Sequence, residues 1–508
     1  MLPSRFVVPA TAAVLALSGC STIAEPPIDG GRQTASDAVP EEAVWNIASE
    51  NSLPGNRGWR AAKTRSSDWR AMSGFADRSS ATPGDRVRLF VSTGARKWRV
   101  SAYRMGWYGG AQGRRVWTSE VQPGQRQDGS GFVAATRTSY ADWRQSLSFT
   151  TQGWSPGMYL LRLKGSNGAE SLIPLVVRSP DVAGRIVLVM ADTTWQAYNE
   201  WGGRSAYFGP GGFEDRARAV SFARPYTSGS GTGKYLAYEH PVVRMAERLG
   251  IDVSYVAASD LDVDPRALSG AEGVLSLGHN EYWSVPQRAA VTKARDAGVD
   301  LAFLGANTMF WRVRLVEGPA GARMMEIYKS AWEDPVDGPT TTARFRDEPG
   351  ADPEHSLVGQ DYECYPATGT YTVTDPGFFL FRGTGIGVNG TVPGILDVEV
   401  DRAYPVPGTP KNLRIVAASP VDCEGASTVS TSSYYTAKSG AGVFATGTMG
   451  WVLRGLRNQA PPAGRAFAKK VTTNLLRAMA NGQMGRKHPA VGNIGDFDLP
   501  TWNTTGRE

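Results

Sequence analysis

The segment Gly278-His279-Asn280-Glu281-Tyr282-Trp283 sets an imidazole and a carboxylate two positions apart among aromatic rings, directly after the apolar run Gly273-Val274-Leu275-Ser276-Leu277. Such a run is the pattern of a strand buried on both faces, and the chain leaving one ordinarily turns on Gly, Asn or Pro. Here it leaves through side chains that carry charge and protons, which marks a site rather than a turn. The pattern recurs twice. Ile186-Val187-Leu188-Val189-Met190 leads into Asp192-Thr193-Thr194-Trp195-Gln196-Ala197-Tyr198-Asn199, and Val299-Asp300-Leu301-Ala302-Phe303-Leu304 leads into Gly305-Ala306-Asn307.

The segments between these runs read as helices. His240 to Leu249 puts Val242, Met245, Ala246 and Leu249 on one face, and Ser284 to Ala297 opens with Ser284, Pro286 and Gln287 in a capping-box arrangement and closes at Gly298. Alternating strands and helices predict a parallel sheet covered by helices on both faces. In such open sheets ligands lie beyond the carboxyl ends of the strands, where strand order reverses. Asp192, Tyr198, Asn199, His279, Glu281 and Asn307 are therefore expected over one crevice. Trp195, Trp201, Trp283 and Trp311 are expected to give it an apolar wall suited to small neutral ligands.

With 508 residues the chain is long enough for about three domains. An apolar content of 41% against 20% charged residues excludes disorder throughout. The net charge of +6 is spread without a block of consecutive Lys or Arg, so nucleic acid is not an expected partner. Arg5, the apolar stretch Phe6 to Leu17 and then Leu17-Ser18-Gly19-Cys20 read as a targeting segment, and they resemble a bacterial lipoprotein signal whose cysteine takes the lipid. The stretch is too short for a permanent membrane span. The expectation is an extracytoplasmic protein held to the cell membrane through lipid on Cys20, with residues 21–45 as a tether. Cys364 and Cys423 are then left, and in an oxidising compartment two cysteines most simply pair. His240, His279, His355 and His488 are scattered and no CxxC pair is present, which argues against zinc.

From Ser73 to about Arg178 the chain reads as strands: Val87 to Ser92, Trp98 to Tyr103, Ser146 to Thr150, Tyr159 to Leu163 and Leu172 to Val177. Turns at Pro83-Gly84-Asp85, Pro123-Gly124 and Pro156-Gly157 separate them, and the pattern predicts an immunoglobulin-like β-sandwich. The expected division is leader 1–20, tether 21–45, sandwich 46–180, α/β domain 181–335, a β-rich insertion 336–435 holding both cysteines, completion of the α/β domain over 436–485, and a tail 486–508. A helix from Ala463 to Ala480, with Phe467, Val471, Leu475 and Met479 on one face, packs back against the sheet.

Three motifs carry a family resemblance: Tyr103-Arg104-Met105-Gly106-Trp107-Tyr108-Gly109-Gly110, Thr194-Trp195-Gln196-Ala197-Tyr198-Asn199-Glu200-Trp201-Gly202-Gly203, and Gly278 to Trp283. Together they resemble the large (beta) subunit family of N,N-dimethylformamidase, over most of the chain from Gly55-Asn56 to the final helix. The resemblance implies a flavodoxin-like, class I amidotransferase-like parallel sheet preceded by a β-sandwich. It also implies a mononuclear ferric iron held by two tyrosines and one glutamate. Carried across, Glu281 takes the glutamate position, Tyr198 one tyrosine position and Tyr159, in Pro156-Gly157-Met158-Tyr159-Leu160, the other, with Tyr207 and Tyr282 as alternatives for the second. His279 and Asn307 match polar active-site positions. A further acidic residue of the family, downstream, has no assigned counterpart.

The chemistry implied is hydrolysis of a carbon–nitrogen bond in a small amide. Phenolates and a carboxylate are hard oxygen donors that balance the charge of ferric iron. His279 then serves as general base or hydrogen-bonds the tetrahedral intermediate, and Asn307 is a donor to the oxyanion. Each residue also has a plainer use. Glu281 could favour the positive end of the following helix, His279 could be a satisfied histidine at a domain boundary, Tyr198 and Tyr159 could be core rings, and Asn307 could be a turn residue. The Arg104 to Gly110 motif reads either as a ligand-binding aromatic patch or as a tight turn with Trp107 packed at the domain interface. The other functional reading is a surface lipoprotein without catalysis, whose aromatic crevice binds glycan or a cell-envelope component. A homo-oligomer is compatible with either.

Overall fold

The computed structural model describes residues 45–61 and 70–505. The expected leader, Cys20 and the tether up to Val44 lie outside the described residues.

The first unit is sandwich-like. Met72–Ala76, Arg86–Thr93 and Leu147–Thr150 form one sheet, and Glu170–Val177, Gly157–Gly165, Lys97–Met105 and Gly113–Thr118 lie side by side in a second. The long strand Gly157–Gly165 is buried on both faces, because successive side chains point to opposite sides. Tyr159, Leu161 and Leu163 enter the core between the two sheets. Met158 and Leu160 instead join the core shared with the α/β unit.

The second unit is built on a nine-stranded sheet. Its elements in chain order are β1 (Ile186–Met190), α1 (Asp192–Ala197), α2 (His240–Arg248), β2 (Val253–Ala257), β3 (Gly273–Gly278), α3 (Val285–Asp296) and β4 (Asp300–Gly305). There follow β5 (Asp361–Gly369), β6 (Asp397–Arg402), β7 (Arg414–Cys423), β8 (Ala426–Thr436), β9 (Gly442–Ala445) and α4 (Pro462–Ala480). The spatial order is β2-β1-β3-β4-β9-β8-β7-β5-β6. β2, β1, β3, β4 and β9 run parallel to one another, while β8 pairs antiparallel with β9 and β7, β5 and β6 continue antiparallel. The expectation of a parallel sheet therefore holds for five strands and not for the whole. The segment read as a separate β-rich insertion continues the same sheet, because β8 returns beside β9 and carries the pairing onward. Cys364 on β5 and Cys423 on β7 form a disulfide, with Cα atoms 6.2 Å apart.

The capping box that opens α3 is present: Ser284 Oγ accepts from Gln287 N and Gln287 Oε1 from Ser284 N. The chain runs from β1 outward to β2 and then back across to β3 and β4, so strand order reverses between β1 and β3. Two glycines let the strand ends meet closely beyond that point. A Cβ on Gly305 would stand 2.0 Å from the Gly278 carbonyl oxygen, and Gly278 itself has φ +61° with the Tyr238 ring packed against it. Among the described residues no helix is long and apolar enough to cross a membrane.

Candidate functional site

Glu281, three residues past β3, is wholly buried. Its backbone N–H donates to Thr194 Oγ1 at 3.0 Å, which ties the strand exit to α1. Two phenols converge on its carboxylate. Tyr198, the residue that caps α1, donates its hydroxyl to Oε2 at 2.7 Å, and Tyr207 donates to Oε1. His279 Nε2 lies 3.0 Å from Oε2. Trp311 Nε1 donates to the Tyr207 hydroxyl at 3.1 Å.

A second carboxylate stands behind the histidine. Glu399, on β6, is 3.8 Å from His279 Nε2 and accepts the Asn307 side-chain N–H at 2.7 Å. Asn307 leaves β4 in the left-handed region (φ +55°), held there by its backbone N–H donating to Asp401 at 2.7 Å. Two buried polar atoms face no partner, His279 Nδ1 and Asn307 Oδ1. Two ammonium groups complete the surroundings. Lys234 Nζ lies 3.8 Å from the centre of the Tyr198 ring, and Lys329 Nζ lies 3.0 Å from that of Tyr207 while donating to the Tyr282 hydroxyl at 2.7 Å.

Burial dominates the titration of these groups. It pushes the Tyr198 and Tyr207 phenols well above their ordinary range, and the negative charge of Glu281 adds to the effect. It also raises the Glu399 carboxyl and lowers the Lys329 ammonium. At Glu281 burial acts in the same upward direction, but the hydrogen bond to His279, with the Lys329 charge and the Tyr207 hydroxyl, outweighs it and holds this carboxyl low. Asp401 is pushed up to about 8 by burial.

The group forms the floor of a cleft of about 640 Å³ lined by Tyr198, Tyr207, His279, Asn307, Trp311 and Glu399 among others. Of the sequence-derived candidates, Tyr198, His279, Glu281 and Asn307 are brought together here. Tyr159 is not: it lies in the sandwich core, stacked on Trp154, with its hydroxyl donating to the Ser155 carbonyl at 2.7 Å. Its place beside Glu281 is taken by Tyr207. Asp192 and Asn199 are structural. The first accepts from the Ser259 backbone and hydroxyl, and the second donates to the Pro225 carbonyl. Among the four tryptophans only Trp311 lines the cleft. Trp195 is buried against Glu239, Trp283 donates to the Asn280 carbonyl, and Trp201 packs edge-on to Trp143.

Glu399 escaped sequence reading because Asp397-Val398-Glu399-Val400-Asp401 alternates as any half-exposed strand does. Lys329 carried one signal only: a lysine between Tyr328 and Ser330 in a segment otherwise of turn type. Three hard oxygens gathered by Tyr198, Tyr207 and Glu281 fit a trivalent metal ion such as ferric iron. No group of three His, Cys, Asp or Glu residues gathers as a metal site among the described residues.

A family model described as N,N-dimethylformamidase beta subunit-like, C-terminal, matches residues 99–461, the major part of the chain. No curated protein matches. A solved structure of a Paenibacillus sp. cycloisomaltooligosaccharide glucanotransferase complexed with cycloisomaltoheptaose is 8% identical, covering 71% of this chain and 68% of its own. Its TM-score of 0.18 is too low to carry any argument about fold or function.

Proposed function

The chain belongs to the N,N-dimethylformamidase beta subunit-like family, and on that premise we propose that it hydrolyses an amide C–N bond with one ferric iron held by Tyr198, Tyr207 and Glu281. The observation that carries the reading is the approach of two half-buried phenols of the cleft lining to the two oxygens of the buried Glu281 carboxylate. Iron bound there supplies Lewis acidity toward an amide carbonyl and toward water.

The chain's own groups handle the protons. His279, fixed by Glu281 through Nε2, takes the proton of the attacking water. Asn307 gives one side-chain N–H to Glu399 and has a second for the developing oxyanion. Glu399, whose carboxyl burial keeps protonated to higher pH, delivers a proton to the departing amine nitrogen. Water is consumed, the C–N bond breaks, and a carboxylic acid and an amine leave. Metal analysis together with turnover of N,N-dimethylformamide tests the reading: one iron per chain and amine release are expected, and metal-free protein that binds glycan supports the non-catalytic alternative. The Leu17-Ser18-Gly19-Cys20 segment supports an extracytoplasmic, lipid-anchored location. Cys20→Ser is expected to release the protein from membranes or leave it unprocessed.

A further inference from the structure

The cleft over Glu281 is larger than a dialkyl formamide requires. About 640 Å³ falls within the range that takes drug-sized ligands, about 300–1,000 Å³, whereas N,N-dimethylformamide has only a handful of non-hydrogen atoms. A molecule that small, seated at the phenols, leaves the upper cleft wet. The upper cleft is aromatic. Phe310 meets Trp311 edge-to-face at 4.9 Å and Tyr362 at 5.1 Å, which fixes a rigid apolar wall.

Two further rings stand in the lining while open to solvent, Phe213 at 47% and Tyr365 at 56% exposure. The Arg216 guanidinium packs 4.1 Å from the centre of the Phe213 ring and holds it in place. Because both rings belong to the cleft lining, a ligand filling the cleft would cover apolar surface that is otherwise in water. The charged groups in the lining are few and each already has a neighbour. They are His279, Glu399 and Lys234, the first two facing each other and the third seated on the Tyr198 ring.

We propose, resting on the amide-hydrolase reading above, that the substrate is a neutral amide bearing an aryl group. Its C–N bond lies over Glu281, Tyr198 and Tyr207, and its ring lies against Phe310 and beneath Phe213 and Tyr365. The reaction is the same hydrolysis: water adds to the carbonyl carbon, one of its protons is passed to nitrogen through His279 and Glu399, the C–N bond breaks, and a carboxylic acid and the aryl amine leave. Phe213 and Tyr365 are specificity residues that act through binding.

N-Methylformanilide differs from N,N-dimethylformamide by a phenyl in place of one methyl, so the pair isolates the ring. Iron-loaded protein is expected to turn over the anilide with kcat/KM about 100-fold higher, the size expected for burying one additional ring. Phe213→Ala, a change at an exposed position, is expected to reduce that preference about tenfold, through KM. If both amides are cleaved and the dimethyl compound is preferred, or if Phe213→Ala and Tyr365→Ala leave the preference intact, the aryl assignment is overturned and the hydrolase reading stands. If neither amide is cleaved by iron-loaded protein, the hydrolase reading itself falls, and the aryl assignment with it.

Discussion

The cluster around Arg104, where the sandwich meets the α/β unit, and the cluster around Glu281, under the cleft, are assembled from the same parts: buried carboxylates answered by tyrosine hydroxyls. In the first, Arg104 reaches Glu247 with two nitrogens at 2.8 and 3.1 Å and the Pro156 carbonyl with a third. Glu247 also accepts from Tyr255 and Asn51, and Glu50 accepts from Tyr108, Arg114 and Ser155. Two guanidiniums balance two carboxylates, and the oxygens are answered. In the second, no arginine pairs with Glu281 or Glu399 among the described residues. The ammonium groups sit on phenol rings instead, and His279 Nδ1 and Asn307 Oδ1 have no partner. A closed polar network fixes geometry, whereas one left open has capacity for something not yet in it.

This contrast makes opposite substitutions informative. Glu281→Ala removes the one anionic donor supplied by the central strand and is expected to abolish iron binding and turnover. The fold should persist, which metal analysis and circular dichroism will separate. Arg104→Met, by contrast, leaves Glu247 buried without its counter-charge and should lower stability by about 3–5 kcal/mol in denaturant unfolding. In protein that still folds, iron stoichiometry should be unaffected. Asn307→Ala is intermediate: iron stays, and kcat falls ~100- to 1,000-fold as the oxyanion donor is lost.

The smallest effect concerns acid. Burial acts to raise the Glu50 carboxyl, but Arg104, Tyr108, Ser155 and Arg114 together hold it down to about 2, against an ordinary 4.5. The folded state thus binds this proton less tightly than the unfolded chain. Its contribution, about 3 kcal/mol, is complete above pH 4.5 and is lost as pH falls through about 2. Glu50→Gln should flatten the stability profile in that window, and an unaltered acid limb would show that the closed cluster is not what titrates.

Sequence alone reaches the open cluster further than the closed one, for physical reasons. His279, Glu281 and Asn307 each leave a run of buried strand within a few residues and Tyr198 closes the short helix that follows one, and the end of a parallel strand confines the next stretch of chain to one edge of the sheet. Tyr207, on a loop nine residues past Tyr198, is reached only as an alternative, and Glu399 arrives by long-range closure on an antiparallel strand where nothing local distinguishes it. Tyr159 is misplaced by strand parity. In Gly157–Gly165 the alternate face, with Met158 and Leu160, meets the α/β unit, and a one-residue difference sends Tyr159 into the sandwich core. The Arg104 motif reads as a turn around Trp107. Trp107 does sit at that turn, under the Arg248 guanidinium, but Arg104 itself is the residue that joins the units. The antiparallel half of the sheet is hidden because β5 to β8 lie in a segment rich in Gly, Pro and Thr, where strand patterns are short and interrupted.

The central claim is that Tyr207, and not Tyr159, shares Glu281 with Tyr198 at a metal. Phenolate bound to ferric iron gives a visible charge-transfer band, so iron content and absorption of the Tyr207→Phe and Tyr159→Phe proteins, measured side by side with the unaltered chain, test it directly. One iron and colour are expected in the unaltered chain and in Tyr159→Phe, and loss or a marked shift of the band in Tyr207→Phe. Full iron and unchanged colour in Tyr207→Phe, or their loss in Tyr159→Phe alone, would contradict it.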